Sequence, residues 1–228
     1  MIHTLADIEA ALDALVRADP RLAPVVARAG PVPLRRTAGG LRGLVGTITA
    51  QQVSRASADA IFARLAGEVD LDDAAALLGA SDEALRRGGL SRPKMRTLRA
   101  IAEAVTTGAL DFDRLERLDA DSAIAEMVAI HGIGRWTAEC HLLFALGHPD
   151  VFPAGDLALQ VAVGHALNLA ERPKEKPLAQ LAERWSPHRA TAARLFWSYY
   201  AAITRRDAAP AAPSIARENA PDVNHDAG

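Results

Sequence analysis

The sequence predicts an all-α protein, one large or two small helical domains, with a tight hairpin between two of its helices. Three observations carry this. Half of the 228 residues are hydrophobic and alanine supplies much of that half, which favours helix. Few runs rich in Val, Ile, Thr or aromatics alternate at period two, so strands have little support. Apolar residues recur instead at i, i+3, i+4 and i+7 in one segment after another.

The elements follow in order. Leu5 to Arg17 reads as an amphipathic helix with Ile8, Leu12 and Leu15 on one stripe. Asp19-Pro20 restarts the chain into Leu22 to Ala27, and Gly30-Pro31-Val32-Pro33 extends the backbone. After the break at Gly39-Gly40, Leu41, Leu44, Val45 and Ile48 mark a buried helix face. Gln51-Gln52-Val53-Ser54 interrupts it, and Ala56 to Leu65 resumes. Leu71 to Leu78 and Asp82 to Arg87 look like short helices; Gly88-Gly89 ends the second. Arg92-Pro93 opens a longer one lined by Leu98, Ile101, Ala102 and Val105, closed by Gly108. Asp121-Ser122 is read as the N-cap pair of a helix to Ile130. Gly132 and Gly134 make the hairpin, and Trp136 to Leu146 is the second helix. Leu157 to Leu169 follows Asp156; Pro173 and Pro177 bound a connector; Leu178, Leu181, Ala182 and Trp185 form a stripe; Pro187 opens the last helix, to about Thr204. The expected divisions are 1–38, 39–150 and 151–206, with a disordered tail over 207–228 that has almost no apolar anchors.

Charge and cysteine content limit the function. A net charge of -2 is not that of a protein that coats nucleic acid by charge alone. The local field could still be positive, because Arg35, Arg36, Arg42, Arg55, Arg92, Lys94, Arg96, Arg99 and Arg135 flank the turns. A single cysteine, Cys140, excludes an internal disulfide and a four-cysteine iron–sulfur centre. Asp7 and Glu9 interrupt any secretory apolar region, and no run is long enough to span a bilayer, so a soluble cytoplasmic protein is expected.

The chemistry-bearing stretch is Ile130-His131-Gly132-Ile133-Gly134-Arg135-Trp136-Thr137-Ala138, followed by Asp156. Two glycines around one apolar residue make a tight turn, and glycine is read as supplying positive φ there. Amides at the start of the second helix would attract an anion, most simply a nucleic-acid phosphate. A carboxylate near a bound phosphodiester is costly unless it has work to do. Asp156 is also a good N-cap, a role that would hold it rigid and ionised. All three tryptophans and both tyrosines fall in the second half of the chain. Trp185 reads as core, whereas Trp136 and Trp197 are the candidates for a base-stacking pocket, since an indole face attracts a cationic ring. Gln51 to Ser54 is either a simple loop or a wedge for a duplex. The histidines form no ligand pair, and His131, His141, His148, His165 and His188 are expected at the surface or in turns, with no catalytic metal.

With these residues in hand, the chain resembles the helix-hairpin-helix DNA glycosylase superfamily, of the 3-methyladenine DNA glycosylase II type. The resemblance runs from about Leu41 to Tyr200. It is carried by Ile48–Ser54, Gly89–Lys94, Ile130–Ala138, Val151–Gln160 and Arg184–Arg189 through Trp197. It implies an all-helical fold of two lobes with a cleft between them, the first helices packed on the C-terminal ones. Asp156 matches the catalytic aspartate, and Trp136 and Trp197 match pocket aromatics. Cys140 stands where some relatives have an aromatic. Gly132, Gly134, Arg135, Thr137, Gln51, Gln52, Ser54 and Lys94 fall where DNA is bound. The backbone carbonyls of Val128, Ile130 and Ile133 match a site for a monovalent cation, Na+ or K+; no other cofactor is implied. Gln52 occupies the place of an apolar wedge. The segment before Leu41 is too short for the β-containing domain of the type member.

The resemblance implies a monofunctional enzyme that hydrolyses the N-glycosidic bond of alkylated purines in duplex DNA, as a monomer in the cytoplasm at the nucleoid. Where the strand-cleaving branch carries a lysine amine, this chain has Trp136, so Schiff-base chemistry is not expected. Two other readings stay open on the residues alone: a non-catalytic DNA-binding module, and a helical scaffold for protein partners.

Overall fold

The computed structural model describes residues 1–205, and among them every regular element is helical. The tail expected over 207–228 lies outside the described residues. Thr4 opens α1 (Leu5–Ala18) with a capping box to Asp7. A short 3-10 turn (Pro20–Leu22) leads into α2 (Ala23–Ala29). Then come α3 (Gly40–Ala50), α4 (Arg55–Glu68), α5 (Ala74–Gly79), α6 (Asp82–Arg87) and α7 (Arg92–Thr106). Next are α8 (Phe112–Arg117), α9 (Ala120–Val128) and α10 (Arg135–His141), which runs into a π-type turn at Leu142–Leu146. The chain finishes with α11 (Leu157–Ala166), α12 (Glu175–Ala182) and α13 (Arg189–Thr204).

Several expected boundaries move, each for a local reason. Helix α5 starts at Ala74 rather than Leu71, because Asp73 caps Ala75 and Ala76 while Asp70 turns back to the Asp72 amide. The cap of α9 is Asp119, two residues before Asp121: its carboxylate accepts from the Ser122 amide at 3.0 Å. Helix α9 also stops at Val128 rather than Ile130. The six-residue α8, with its Asp111 cap and buried Leu115, was not anticipated. Pro177 lies inside the first turn of α12, where no intrahelical N–H is required. The last helix begins at Arg189, two residues beyond Pro187, because Asp150 takes the Arg189 amide and guanidinium. The single helix expected over Trp136–Leu146 loosens into the π-type turn and closes at Gly147, with φ +75°.

Two apolar cores result. One gathers α3 to α10 around Leu44, Leu65, Leu98, Ile101 and Met127. The other joins α1 and α2 to α11, α12 and α13 around Ile8, Leu15, Leu22, Trp185 and Phe196. Trp185 is fully buried, as its stripe suggested, and donates to the buried Asp19. The α10–π segment belongs to both cores, since Leu142 and Leu146 pack in the first while Cys140, Leu143 and Phe144 pack in the second. No helix among the described residues is long and apolar enough to cross a membrane.

One histidine departs from the surface or turn placement expected of it, and a second keeps its turn but not its exposure. His141 is buried on α10 with neither ring nitrogen bonded, and burial pushes its pKa down to about 4. His148 is also buried, and its Nδ1 accepts from the Asp150 amide.

Candidate active site

The hairpin is closed by the Ile133 amide donating to the Ile130 carbonyl at 3.1 Å. Gly132 has φ +86°, and a Cβ there would lie 1.9 Å from Thr97 Oγ1, so no other residue fits. Gly134 departs from the expectation of positive φ: it is the extended N-cap of α10 at φ −85°, with open space where a Cβ would be. The first bond inside α10 runs from the Ala138 amide to the Gly134 carbonyl. The amides of Arg135, Trp136 and Thr137 therefore have no carbonyl one turn back, and glycine offers no side-chain cap.

Asp156 sits where α10 and α11 meet. It caps α11, Oδ1 accepting from the Leu159 amide at 3.0 Å. Oδ1 also accepts from Trp197 Nε1 and Oδ2 from Trp136 Nε1, both at 3.2 Å. Three donors from three helices thus fix one half-buried carboxylate. Trp136 is 37% exposed and presents a ring to solvent. Trp197 is 2% exposed and stacked on Phe144 with centroids 5.5 Å apart. Of the two tryptophans expected to form a base-stacking pocket, Trp136 has a free face, whereas Trp197 is buried and backs the acid.

A cavity of about 410 Å³ opens beside Trp136. Its walls include Cys140, Phe144 and Thr137 from the hairpin helix, Thr37 and Thr47, and Gln51 to Val53 from the loop between α3 and α4. Asp156 does not line it, but is linked to it through Trp136, a wall of the cavity whose Nε1 donates to the carboxylate. Cys140 lines this space with its thiol buried, which pushes its pKa well above the usual value, so it acts as an inert wall.

The residues expected to touch DNA are sorted by the geometry. Gln51 turns inward, its amide donating to Thr137 Oγ1 at 3.0 Å, so neither side chain is presented outward. Gln52 has φ +58° at an exposed turn, and Val53 beside it is 39% exposed, making Val53 the apolar tip of the loop. Ser54 is used as the cap of α4. Lys94 departs from its expected place on a phosphate: Nζ donates to the carbonyls of Thr49 and Gln51, both at 2.8 Å, closing the end of α3. Arg36 and Arg99 are likewise tied to carbonyls, and Arg42 pairs with Asp72. Arg135 remains largely exposed but pairs with Glu139 at 2.9 Å. Burial raises the Glu139 pKa to about 7, with Arg135 opposing the rise and Glu175 and Asp121 adding to it.

Phe144, Thr37 and Glu139 were not anticipated, and Val53 was read only as part of the Gln51–Ser54 wedge. Trp136, Cys140 and Phe144 are four residues apart along one helical face, a signal legible in the sequence. Thr37 has none: it reaches the cavity because its amide donates to the Phe144 carbonyl.

The model of the HhH-GPD superfamily of base excision DNA repair proteins matches residues 45–188. The chain belongs to that superfamily. DNA-3-methyladenine glycosylase 1 of Schizosaccharomyces pombe is 30% identical to this HhH-GPD chain over 158 residues, 68% of this chain and 69% of the relative. The crystal structure of a DNA-3-methyladenine glycosidase from Bacillus halodurans superposes with TM-score 0.77 at 34% identity, covering 86% of this chain and 90% of the other. A 3-methyladenine DNA glycosylase of S. pombe in complex with abasic DNA gives TM-score 0.70 at 27% identity, covering 84% and 95%. The matched span contains the hairpin, Trp136 and Asp156; Trp197 lies just beyond it.

Proposed function

We propose that this HhH-GPD chain is a monofunctional DNA glycosylase that removes alkylated purines of the 3-methyladenine type from duplex DNA. The carrying observation is the Asp156 carboxylate, held by three N–H donors, one of them the indole of Trp136, which itself walls the neighbouring cavity. The names of its relatives point to the same lesion class. The partner is duplex DNA, engaged by a monomer in the compartment that holds the DNA.

The sugar carbon under attack is hidden in the base stack, so the nucleotide must first leave the helix, at a cost of a few kcal/mol that is smallest for damaged bases. The unpartnered amides of Arg135, Trp136 and Thr137 grip phosphate without reading sequence. Val53 is the side chain best exposed to fill the gap left in the duplex. An N-alkylated purine is cationic and stacks on the free Trp136 face. It departs as a neutral base, so no strong general acid is required. As the bond lengthens the sugar gains oxocarbenium character, which the Asp156 carboxylate stabilises while orienting the attacking water. Strand cleavage through a lysine is not supported: no lysine lines the cavity, and Lys94 is committed to two carbonyls. The carbonyls of Val128, Ile130 and Ile133 lie at the negative end of α9 and its turn, a donor set suited to an alkali cation. Such an ion would supply charge neutralisation beside the phosphate.

The test is base release. Asp156→Asn is expected to lower release of 3-methyladenine and 7-methylguanine from alkylated duplex DNA by at least about a hundredfold, with DNA affinity by gel shift little changed. Wild-type-like release by that variant would refute the reading. DNA binding by the wild-type chain with no base released would favour the non-catalytic module. Borohydride is expected to trap no protein–DNA adduct; a trapped adduct would place the chain among lyases.

A further inference from the structure

Arg194 has no part in the mechanism above, yet it is the most unusual charge in the molecule. It lies on α13, 3% exposed, with one hydrogen bond, from Nη2 to the Leu143 carbonyl at 2.9 Å. Its Nε and Nη1 are buried without partners. No carboxylate among the described residues neutralises it, and Arg35 and Arg36 add to the positive potential around it. A buried guanidinium in that state is expensive and would ordinarily be replaced by an apolar residue. What it does touch is informative. The guanidinium lies over the Phe144 ring, 4.9 Å from the centroid, and Phe144 is a wall of the cavity beside Asp156. The carbonyl it holds belongs to the π-type turn that carries Phe144. Space for at most one water separates Arg194 from Trp197 and Ser198, so no phosphate can reach it.

We infer that Arg194 is a specificity-determining residue: its unneutralised charge, one ring removed from the cavity, raises excision of neutral damaged bases relative to excision of the cationic ones. This rests on the glycosylase reading. When the bond from C1′ to a neutral purine breaks, its electron pair leaves with the base and the base becomes anionic. Water then bonds to C1′ and sheds a proton, and the departed base takes one up from solvent. A fixed positive charge behind the base stabilises that developing anion. The same charge opposes entry of a cationic alkylpurine and gives no help to its neutral leaving group. Phe144 transmits the effect, because a ring polarised toward a cation on one side is a poorer cation acceptor elsewhere.

The experiment compares single-turnover release of hypoxanthine, a neutral lesion, with that of 7-methylguanine, a cationic one, from matched duplexes. Arg194→Met is expected to lower the hypoxanthine to 7-methylguanine ratio by about tenfold, and Arg194→Lys to keep it. Ser198→Asp supplies a second route, since residue 198 sits one helical turn from Arg194 beside the same small space and its carboxylate would neutralise the charge without removing it. It is expected to move the ratio in the same direction as Arg194→Met, with the fold intact. An unchanged ratio in Ser198→Asp, or in a folded Arg194→Met, would overturn the inference, as would a wild-type chain that releases 7-methylguanine and no hypoxanthine. Release of neither base would instead defeat the glycosylase reading itself.

Discussion

At the scale of single residues, the acid is less informative than its donors. Any aspartate before a helix can cap it, and the sequence offers Asp73, Asp111 and Asp119 in that role as well. Asp156 differs because two indole N–H groups from separate helices converge on it, that of Trp197 on the capping oxygen Oδ1 and that of Trp136 on Oδ2. Trp197 is buried in the second core, donates to the acid and stacks on Phe144, so it is a positioning residue. Trp197→Phe keeps the ring and removes the donor. It is expected to cost about 1–2 kcal/mol of transition-state stabilisation, roughly tenfold in the rate of base release, with DNA affinity unchanged. Single-turnover kinetics beside a gel shift would separate the two. Trp136→Phe removes the other donor and alters the exposed stacking face as well, so both rate and affinity should fall. Lys94 and Gln51 carry the opposite lesson: their residue types suited DNA, but carbonyls and a hydroxyl nearby already satisfy them.

At the scale of elements, the helices with a strong apolar stripe were legible and the ends were not. Helices α1, α3 and α7 bury long runs such as Leu41, Leu44, Val45 and Ile48, a periodicity that survives without tertiary knowledge. Helix α8 escaped notice because six residues with one fully buried leucine carry no periodic signal. The π-type turn escaped because it arises from two cores competing for successive residues of one helix. The hairpin was legible, but its two glycines proved unequal. Gly132 is forced by positive φ and by Thr97, whereas Gly134 needs neither and leaves its surface open. Gly132→Ala is therefore expected to destabilise the fold by about 3 kcal/mol, combining a left-handed backbone with a steric overlap. Gly134→Ala should leave stability within about 0.5 kcal/mol and weaken DNA binding instead. Adding Thr97→Ala should recover part of the first loss and none of the second. Chemical denaturation and gel shifts on the three variants would check this.

At the scale of the whole molecule, the two lobes are joined by the α10–π segment, and that segment carries two buried titrating groups with opposite consequences. The pKa of Glu139 is raised from 4.5 to about 7, so between those values the native state holds more protons than the unfolded chain. Its contribution to stability falls as pH rises through that window, by an amount on the order of 3 kcal/mol. For His141 the pKa is lowered from 6.5 to about 4, so here the unfolded chain holds more protons and stability rises with pH over 4 to 6.5. The two slopes oppose each other from about pH 4.5 to 6.5, and the wild-type protein should show little net dependence from this pair there. Replacing Glu139 by Gln imitates the protonated acid and leaves Arg135, already largely exposed, to solvent. That variant should gain stability as pH rises to about 6.5 and stay above wild type at pH 8, the two converging below pH 4.5. Guanidinium melts across pH 4 to 8 would read it. Equal pH profiles for the two proteins would mean that Glu139 titrates alike in the folded and the unfolded chain.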